Sequence, residues 1–292
     1  MKYQKMRNHL FFFSTDTHPS PFDINIALDS GFDTVIPYSS VKEEQTESLT
    51  HDIIFSRGPK GAKKSAIFVG GSDVELAGRI VAKATASMSP PFTVPVFADP
   101  KGAYTTGAAL VAKAQKAAGG LPGKRALIFG GTGPVGQVAA ELIASAGGVS
   151  VIVTSRGREV AQKVADAIAG RCGSRVDGES AATEEERLAL MKSADIAIAT
   201  VKAGVQVVSL KGLASLGRDI IVADVNAVPP AGIEGLAPHD DMKQIAPGVM
   251  GIGALAIGVV KYKVEVGLFR AMLESGSSAG YKECHELAQT LA

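Results

Sequence analysis

Cysteine is scarce in this sequence. The 292 residues include two cysteines, Cys172 and Cys284, which lie far apart and form no Cys-x-x-Cys motif. This spacing offers neither a disulfide framework nor a cysteine zinc site, and it favours two reduced thiols. We therefore expect a cytoplasmic protein.

Strong charge bias and long apolar runs are also missing. The net charge is +1 and no basic stripe stands out, so the sequence indicates no nucleic-acid partner. The apolar stretch at residues 249–260 is well short of the roughly 20 residues of a membrane span. The apolar residues 10–13 are too few for a secretory signal, and we expect no membrane partner.

Motifs for hydrolytic and metal chemistry are absent as well. The five histidines form no cluster, and the sequence contains neither His-Glu-x-x-His nor Gly-x-Ser-x-Gly. These absences argue against a hydrolase, and we expect no metal. What the chain does contain is 46% hydrophobic residues and 33 glycines, a composition typical of a compact α/β enzyme.

Segments typical of strands and helices alternate along the chain. This alternation predicts an α/β fold with mostly parallel sheets and right-handed crossovers. The composition break at residues 119–123 predicts an amino-terminal α/β domain over residues 1–120 and a Rossmann-type dinucleotide-binding domain over residues 121–263. Helices within residues 264–292 are expected to pack back on the first domain, with the ligand cleft between the two domains.

The strongest local signal is a glycine-rich turn after the predicted strand Arg125–Phe129. Its glycines have Gly-x-Gly-x-x-Gly spacing, and a helix-like segment and a second strand, Val149–Thr154, follow. Such glycines permit a tight turn, the approach of a pyrophosphate and close helix–strand packing, and the helix N-terminus favours phosphate. The predicted dinucleotide contacts in this turn are Gly131, Thr132, Gly133, Pro134, Val135 and Gly136.

The residues after the second strand indicate which dinucleotide binds. An NAD site usually has Asp or Glu there, to bind the ribose 2′-hydroxyl. Here Ser155 and Arg156 follow the strand, and a guanidinium suits a 2′-phosphate that a carboxylate would repel. We therefore predict NADP, with NAD as an alternative, at Ser155 and Arg156. Further cofactor contacts are predicted near the ends of later strands, at Thr200, Gly204, Asp224 and Asn226.

Three loops that follow predicted strands resemble those of a known family. They cover residues 97–107, 223–235 and 251–261, and further matches lie at residues 19–33 and 130–136. Over nearly the whole chain, the sequence resembles the methylene-tetrahydromethanopterin dehydrogenases of methylotrophic bacteria. The overall likeness is to the branch that uses NAD or NADP, whereas Arg156 resembles the strictly NADP-linked pattern.

The resemblance implies a hydride transfer in one-carbon metabolism, in the oxidation of formaldehyde. The N5,N10-methylene group of tetrahydromethanopterin would become the methenyl cation, and the nicotinamide would take the hydride. Nitrogen lone pairs stabilise this cation, so no proton has to move, and the enzyme supplies orientation and a dry cleft. A missing catalytic dyad is expected for this reaction. The family also implies a homo-oligomer.

The resemblance further implies which residues hold the pterin. Lys261 matches a lysine that the family keeps near the pterin, and it would position the substrate and tune it electrostatically. Polar residues would hydrogen-bond the pterin edge, and small residues would let the flat ring approach. These contacts are predicted at Ser20, Asp99, Thr105, Thr106, Gly253 and Ala256. Alternatively, Lys261 is a surface lysine, and Asp99 and Thr105 only shape a turn and a helix cap.

Other functions remain open on the sequence alone. Methylene-tetrahydrofolate differs from the methanopterin substrate only in its tail and ring substituents. A shikimate-type substrate would need an acid–base residue to move the hydroxyl proton. A non-enzymatic NADP-sensing module is a third alternative, although a second domain with small-residue loops argues against it.

Overall fold

The computed structural model describes residues 6–292. The strands are β1 His9–Ser14, β2 Thr34–Tyr38, β3 Ser65–Gly70, β4 Val96–Ala98, β5 Arg125–Phe129, β6 Val149–Thr154, β7 Val176–Ser180, β8 Ile196–Ala199, β9 Ile220–Asp224, β10 Asp241–Ala246 and β11 Val249–Ile252. The helices are α1 Pro21–Asp29, α2 Glu43–Ser56, α3 Gly58–Ala62, α4 Val74–Ala86, α5 Ala103–Ala117, α6 Pro134–Ser145, α7 Arg158–Cys172, α8 Glu184–Met191, α9 Leu210–Ala214, α10 Ala254–Glu274 and α11 Tyr281–Leu291.

Two compact units contain one sheet each. Unit 1 consists of Met1–Thr105 with Tyr262–Leu287, and unit 2 of Thr106–Lys261 with Ala288–Ala292. In the described residues, the sheet of unit 1 is parallel with the order β2-β1-β3-β4. The sheet of unit 2 has the order β10-β11-β9-β8-β5-β6-β7 and is parallel except for the pair β10–β11. The predicted α/β class with mostly parallel sheets is confirmed.

The borders of these units lie inside helices. The chain passes from unit 1 to unit 2 in α5, after Thr105, and returns in α10, after Lys261. A continuous helix shows no break in composition. The sequence therefore predicts the first domain border at the glycine-rich segment 119–123 and not within α5. The functional domain borders after residues 120 and 263 stay predictions.

Aromatic packing holds the second half of α10 in unit 1. Phe68 and Phe97 are fully buried on the sheet, and Phe269 of α10 lies with its ring centroid 5.3 Å from each of them. Burying such a ring contributes about 1.5–3 kcal/mol. The core of unit 2 is mainly aliphatic, with Leu127 and Val151 among its buried strand residues and Phe129 as an aromatic member.

Two sequence interpretations were wrong. The sequence predicts a loop over residues 251–261, but β11 runs to Ile252 and α10 begins at Ala254. The dense glycines favour a loop, yet Gly258 lies inside α10. No atom lies within 4 Å of a Cβ at this position, so the local packing does not require a glycine there. The sequence also predicts a strand over residues 92–98, but β4 covers only Val96–Ala98, because a tight turn joins Ser89 and Phe92 and pairing with β3 begins at Val96. No helix within residues 6–292 is long and apolar enough to cross a membrane.

Candidate functional site

Most glycines of the turn after β5 are required by the fold itself. Gly130 has φ +76°, and a Cβ there would come within 2.8 Å of the Thr200 backbone. A Cβ on Gly131 would lie 2.8 Å from the carbonyl oxygen of Ile128, and one on Gly136 would lie 2.6 Å from Gly131 Cα. These positions exclude side chains whether or not a ligand is bound. Gly130 is not among the dinucleotide contacts predicted from the sequence, although it directly precedes Gly131 in the same turn.

Gly133 is different. It caps the N-terminus of α6 with φ −82° and ψ 166°, a conformation open to any residue. The nearest atom to a Cβ there is the carbonyl oxygen of Gly130, at 3.4 Å. The described chain therefore leaves room for a Cβ at this position, and the predicted pyrophosphate contact would explain why the residue is a glycine. The orphan N–H groups of the first turn of α6 suit such an anion.

A pocket of about 490 Å³ lies beside this turn within unit 2. Its walls come from the glycine turn and from the segments after β6, β7 and β8. Of the predicted cofactor residues, the pocket contains Thr132, Gly133, Ser155, Arg156 and Thr200. The predicted residues outside its lining are Gly131, Pro134, Val135, Gly136, Gly204, Asp224 and Asn226.

The charges in this pocket have one sign. Arg156, Arg187 and Lys202 line it, and none of its lining residues in the described chain is a carboxylate. Such a field favours a polyanion, because like charges in the wall add and no local acid cancels them. Lys202, just after β8, could have been found from that position. No sequence pattern indicates Arg187, since its position in the pocket wall depends on how α8 packs.

Arg187 joins two loops of the pocket wall. Its guanidinium donates to the carbonyl oxygen of Ala182 at 2.8 Å and to that of Val207 at 2.9 Å. The neighbouring Glu184 accepts hydrogen bonds from the backbone N–H and the hydroxyl of Ser209. The segments after β7 and β8 are thus cross-linked by side chains of α8.

Arg156 and Arg158 have separate partners. Arg156 Nη2 donates to Thr132 Oγ1 at 2.7 Å, which brings the end of β6 to the glycine turn. Arg158 donates from Nε to the carbonyl oxygen of Gly178 at 3.3 Å and pairs with Glu179 at 3.4 Å. Arg156 is therefore the arginine of this pair that belongs to the pocket.

Asp224 and Asn226 organise their own loop. The Asp224 carboxylate is buried and accepts hydrogen bonds from the backbone of Asn226 at 2.9 Å and of Ile233 at 3.2 Å. Burial raises the pKa of Asp224, and these backbone donors partly oppose the rise. Asn226 accepts from the Val228 N–H at 3.0 Å. These bonds give both residues a structural role, and cofactor contact stays a prediction.

Asp99 and Thr105, two of the predicted pterin contacts, bind each other in unit 1. The Asp99 carboxylate is 1% exposed and accepts from the Tyr104 N–H at 2.8 Å and from the Thr105 N–H at 3.1 Å. The buried Thr105 hydroxyl donates to the second carboxylate oxygen. Asp99 thus anchors the first turn of α5, and Thr106 lies half-buried in the same turn. Their contact with a pterin stays a prediction.

Replacing Asp99 by alanine is expected to lower the free energy of unfolding by about 2–4 kcal/mol, because several buried donors lose their acceptor. Chemical denaturation measures the change. Asp73→Ala is the matched control, since Asp73 caps α4 in the same unit through a single bond to the Leu76 N–H. That control should lose about 1 kcal/mol. Equal losses for both variants would contradict the anchoring role of Asp99.

The carboxyl ends of β1, β3 and β4 bring further polar groups together in unit 1. Asp16 accepts from the Ser72 N–H at 3.0 Å and from its hydroxyl at 2.6 Å. These bonds hold the pKa of Asp16 below its usual value, and the charge of Lys101 acts in the same direction. Lys101 has φ +57°, a strained conformation for a residue other than glycine. The sequence interpretation missed Lys101, although Asp-Pro-Lys-Gly after a strand signals a turn.

Ser20, Gly253, Ala256 and Lys261 lie at helix starts or within helices. The half-buried Ser20 accepts from the Asp23 N–H at 3.3 Å and caps α1. A Cβ on Gly253 would overlap with the carbonyl oxygen of Ala237, so the fold alone explains that glycine. Ala256 lies in the first turns of α10, and Lys261 is half-buried further along it. Contact of these residues with substrate stays a prediction.

No group of three or more His, Cys, Asp or Glu side chains within residues 6–292 is placed to hold a metal ion.

Comparisons with known proteins give consistent matches. Residues 21–101 match a family model described as methylene-tetrahydromethanopterin dehydrogenase, N-terminal. The chain is 40% identical to the NAD(P)-dependent methylenetetrahydromethanopterin dehydrogenase of Methylorubrum extorquens over 283 residues, covering 94% of this chain and 95% of the relative. It is 33% identical to the bifunctional protein MdtA of the same organism, covering 97% of this chain and 98% of that protein.

Solved structures give similarity of fold. Quinate dehydrogenase from Corynebacterium glutamicum, in complex with NAD, has a TM-score of 0.56 at 11% identity, covering 97% of this chain and 99% of that one. Shikimate 5-dehydrogenase from Listeria monocytogenes, in complex with shikimate and NAD, has a TM-score of 0.53 at 14% identity, covering 98% of each chain. At such identities the likeness shows an α/β fold of the dehydrogenase type and no more.

Proposed function

The chain belongs to the methylene-tetrahydromethanopterin dehydrogenase family, and from that premise we propose that it transfers a hydride from N5,N10-methylene-tetrahydromethanopterin to NADP. The product is the methenyl cation of the pterin. The relative at 40% identity, whose name states both the reaction and its NAD(P) dependence, carries the proposal. We further predict a cytoplasmic homo-oligomer that acts in one-carbon metabolism in a methylotroph.

The pocket of unit 2 supports NADP as the hydride acceptor. Gly133 leaves room for a pyrophosphate, and the lining cations Arg156, Arg187 and Lys202 suit its charge. Arg156 follows β6, where a carboxylate would favour NAD, and it provides a planar donor for a 2′-phosphate. When bound, the nicotinamide of NADP accepts the hydride.

The residues of the chain act by binding and orientation. The glycine turn and α6 hold the phosphates, and Arg156 holds the 2′-phosphate. On the substrate side, Lys261 is proposed to position the pterin ring. The methylene carbon lies between two nitrogens whose lone pairs stabilise the cation, so this chemistry requires no general base.

The direct test mixes the purified protein with methylene-tetrahydromethanopterin or methylene-tetrahydrofolate, each with NADP or NAD. Absorbance follows the reduced nicotinamide and the methenyl product. We expect turnover with the methanopterin substrate and a preference for NADP. Turnover with methylene-tetrahydrofolate alone would mean that the substrate is the folate and not the methanopterin. If folded protein that binds NADP shows no turnover in any of the four mixtures, the proposed reaction is rejected. The protein would then be a nucleotide-binding protein without this activity.

Replacing Lys261 by alanine is expected to lower kcat/KM for the pterin by at least about tenfold, the effect of one lost charged contact, and to leave NADP affinity nearly unchanged. Steady-state kinetics and calorimetry with NADP measure the two effects. Lys263→Ala is the matched control, because Lys263 is exposed on the same helix, roughly 200° around it. A near-normal rate for Lys261→Ala would make Lys261 an ordinary surface lysine.

A further inference from the structure

The hydrogen bond between Arg156 and Thr132 links two parts of the nucleotide pocket that are 24 residues apart in sequence. Arg156 is exposed at the end of β6, whereas Thr132 lies half-buried in the glycine turn. An exposed arginine samples many rotamers, and fixing it on binding costs free energy. A fixed partner removes part of that cost before the ligand arrives.

Thr132 is itself firmly held. Its carbonyl oxygen accepts a hydrogen bond from Gln137 Nε2 at 3.0 Å, which ties it to α6. The next residue, Gly133, donates its N–H to the carbonyl oxygen of Gly130 at 2.9 Å. These two hydrogen bonds fix the short turn that carries the Thr132 hydroxyl.

The backbone of Arg156 is restrained as well. Its N–H donates to Thr154 Oγ1 at 3.3 Å, which folds the chain back at the end of β6. Gly157 follows with φ +104°, and α7 begins at Arg158, whose side chain bonds to β7. The backbone and the guanidinium of Arg156 are therefore both oriented by threonine hydroxyls.

After bonding to each other, Arg156 and Thr132 still have hydrogen-bond donors that can bind an anion. The Thr132 hydroxyl oxygen accepts from Arg156 and keeps its own hydrogen to donate. A guanidinium has five N–H donors, of which one contacts Thr132. The remaining donors of the two side chains suit a phosphate, and no carboxylate lines this pocket in the described residues.

We propose that Thr132 is a specificity-determining residue, which positions Arg156 for the 2′-phosphate and so contributes to the choice of NADP over NAD. The inference rests on the proposed use of NADP, and it concerns a residue that acts through another. Thr132 thereby differs from its neighbour Gly133, which is proposed to make room for the pyrophosphate common to both nucleotides.

The test measures binding of 2′,5′-ADP and 5′-ADP by calorimetry, without any pterin. Thr132→Val keeps the shape of the side chain and removes the hydroxyl. We expect its Kd for 2′,5′-ADP to rise about fivefold to tenfold, the usual effect of one lost hydrogen bond near a charge, and its Kd for 5′-ADP to change less than about twofold. Thr132→Ser should restore tight binding.

A double-mutant cycle identifies the route of the effect. In the Arg156→Ala background, Thr132→Val should cause no further loss, because the arginine that it positions is gone. Equal weakening of both nucleotides, persisting in that background, would mean that Thr132 contacts the pyrophosphate directly and would overturn the proposal. Tighter binding by Thr132→Val would also overturn it, since the bond would then compete with the ligand.

The failure of the inference can be distinguished from that of the proposed function. If the wild type binds 2′,5′-ADP no better than 5′-ADP, the predicted use of NADP fails and the inference fails with it. If the wild type discriminates and Thr132→Val discriminates equally well, only the role of Thr132 is rejected. Thermal melting of each variant shows whether it is folded.

Discussion

Replacing Gly133 by valine is expected to abolish nucleotide binding, raising the Kd for NADP by at least about 100-fold, while the protein stays folded. The backbone at this position has φ −82° and ψ 166°, which a β-branched residue adopts readily. The nearest atom to a Cβ is at 3.4 Å, so the fold leaves room for a Cβ there. The valine would instead occupy the space in which a pyrophosphate approaches the backbone. Calorimetry with NADP and NAD measures the loss, and thermal melting establishes folding.

The matched control is Gly170→Val. Gly170 lies in α7 of the same unit, with no atom within 4 Å of a Cβ, and valine has a better helix propensity than glycine. This variant should bind both nucleotides as the wild type does. Retained binding by Gly133→Val would mean that the glycine turn is only a structural βα turn.

Replacing Arg156 by alanine is expected to weaken NADP about 30- to 100-fold and NAD less than about threefold, because one charge-assisted, bidentate contact to a phosphate is lost. NAD lacks this phosphate and should be nearly unaffected. Calorimetry with each nucleotide, or KM values once turnover is established, gives the ratio.

Arg158→Ala controls for the loss of a nearby positive charge. Arg158 is largely exposed and pairs with Glu179, an arrangement that contributes little to stability, and it is outside the pocket lining. It should leave both affinities within about twofold, since its exposed charge is paired with Glu179 and screened by solvent and salt. Equal loss of NADP and NAD in Arg156→Ala would remove Arg156 from the 2′-phosphate site.

The sequence predicted the strands near the nucleotide pocket closely. Arg125–Phe129 and Val149–Thr154 have the predicted bounds, because each is a short apolar run ended by turn residues. β10 was not predicted, since its residues are mostly exposed and carry no apolar alternation. The start of α10 is not predicted from the sequence, because three glycines at residues 251–258 interrupt its apolar run and favour a loop. Local composition misleads where packing stabilises a helix.

The candidate site divides along the same line. By itself, the sequence determined the α/β order and the glycine turn, and it predicted Arg156 as a 2′-phosphate contact, because these depend on residues adjacent in the chain. Only the tertiary structure paired Arg156 with Thr132, showed Asp99 satisfied by Thr105, and brought Arg187 into the pocket wall. The partner of a long side chain depends on which segments the fold brings within about 3 Å of it, and spacing along the sequence does not encode that distance.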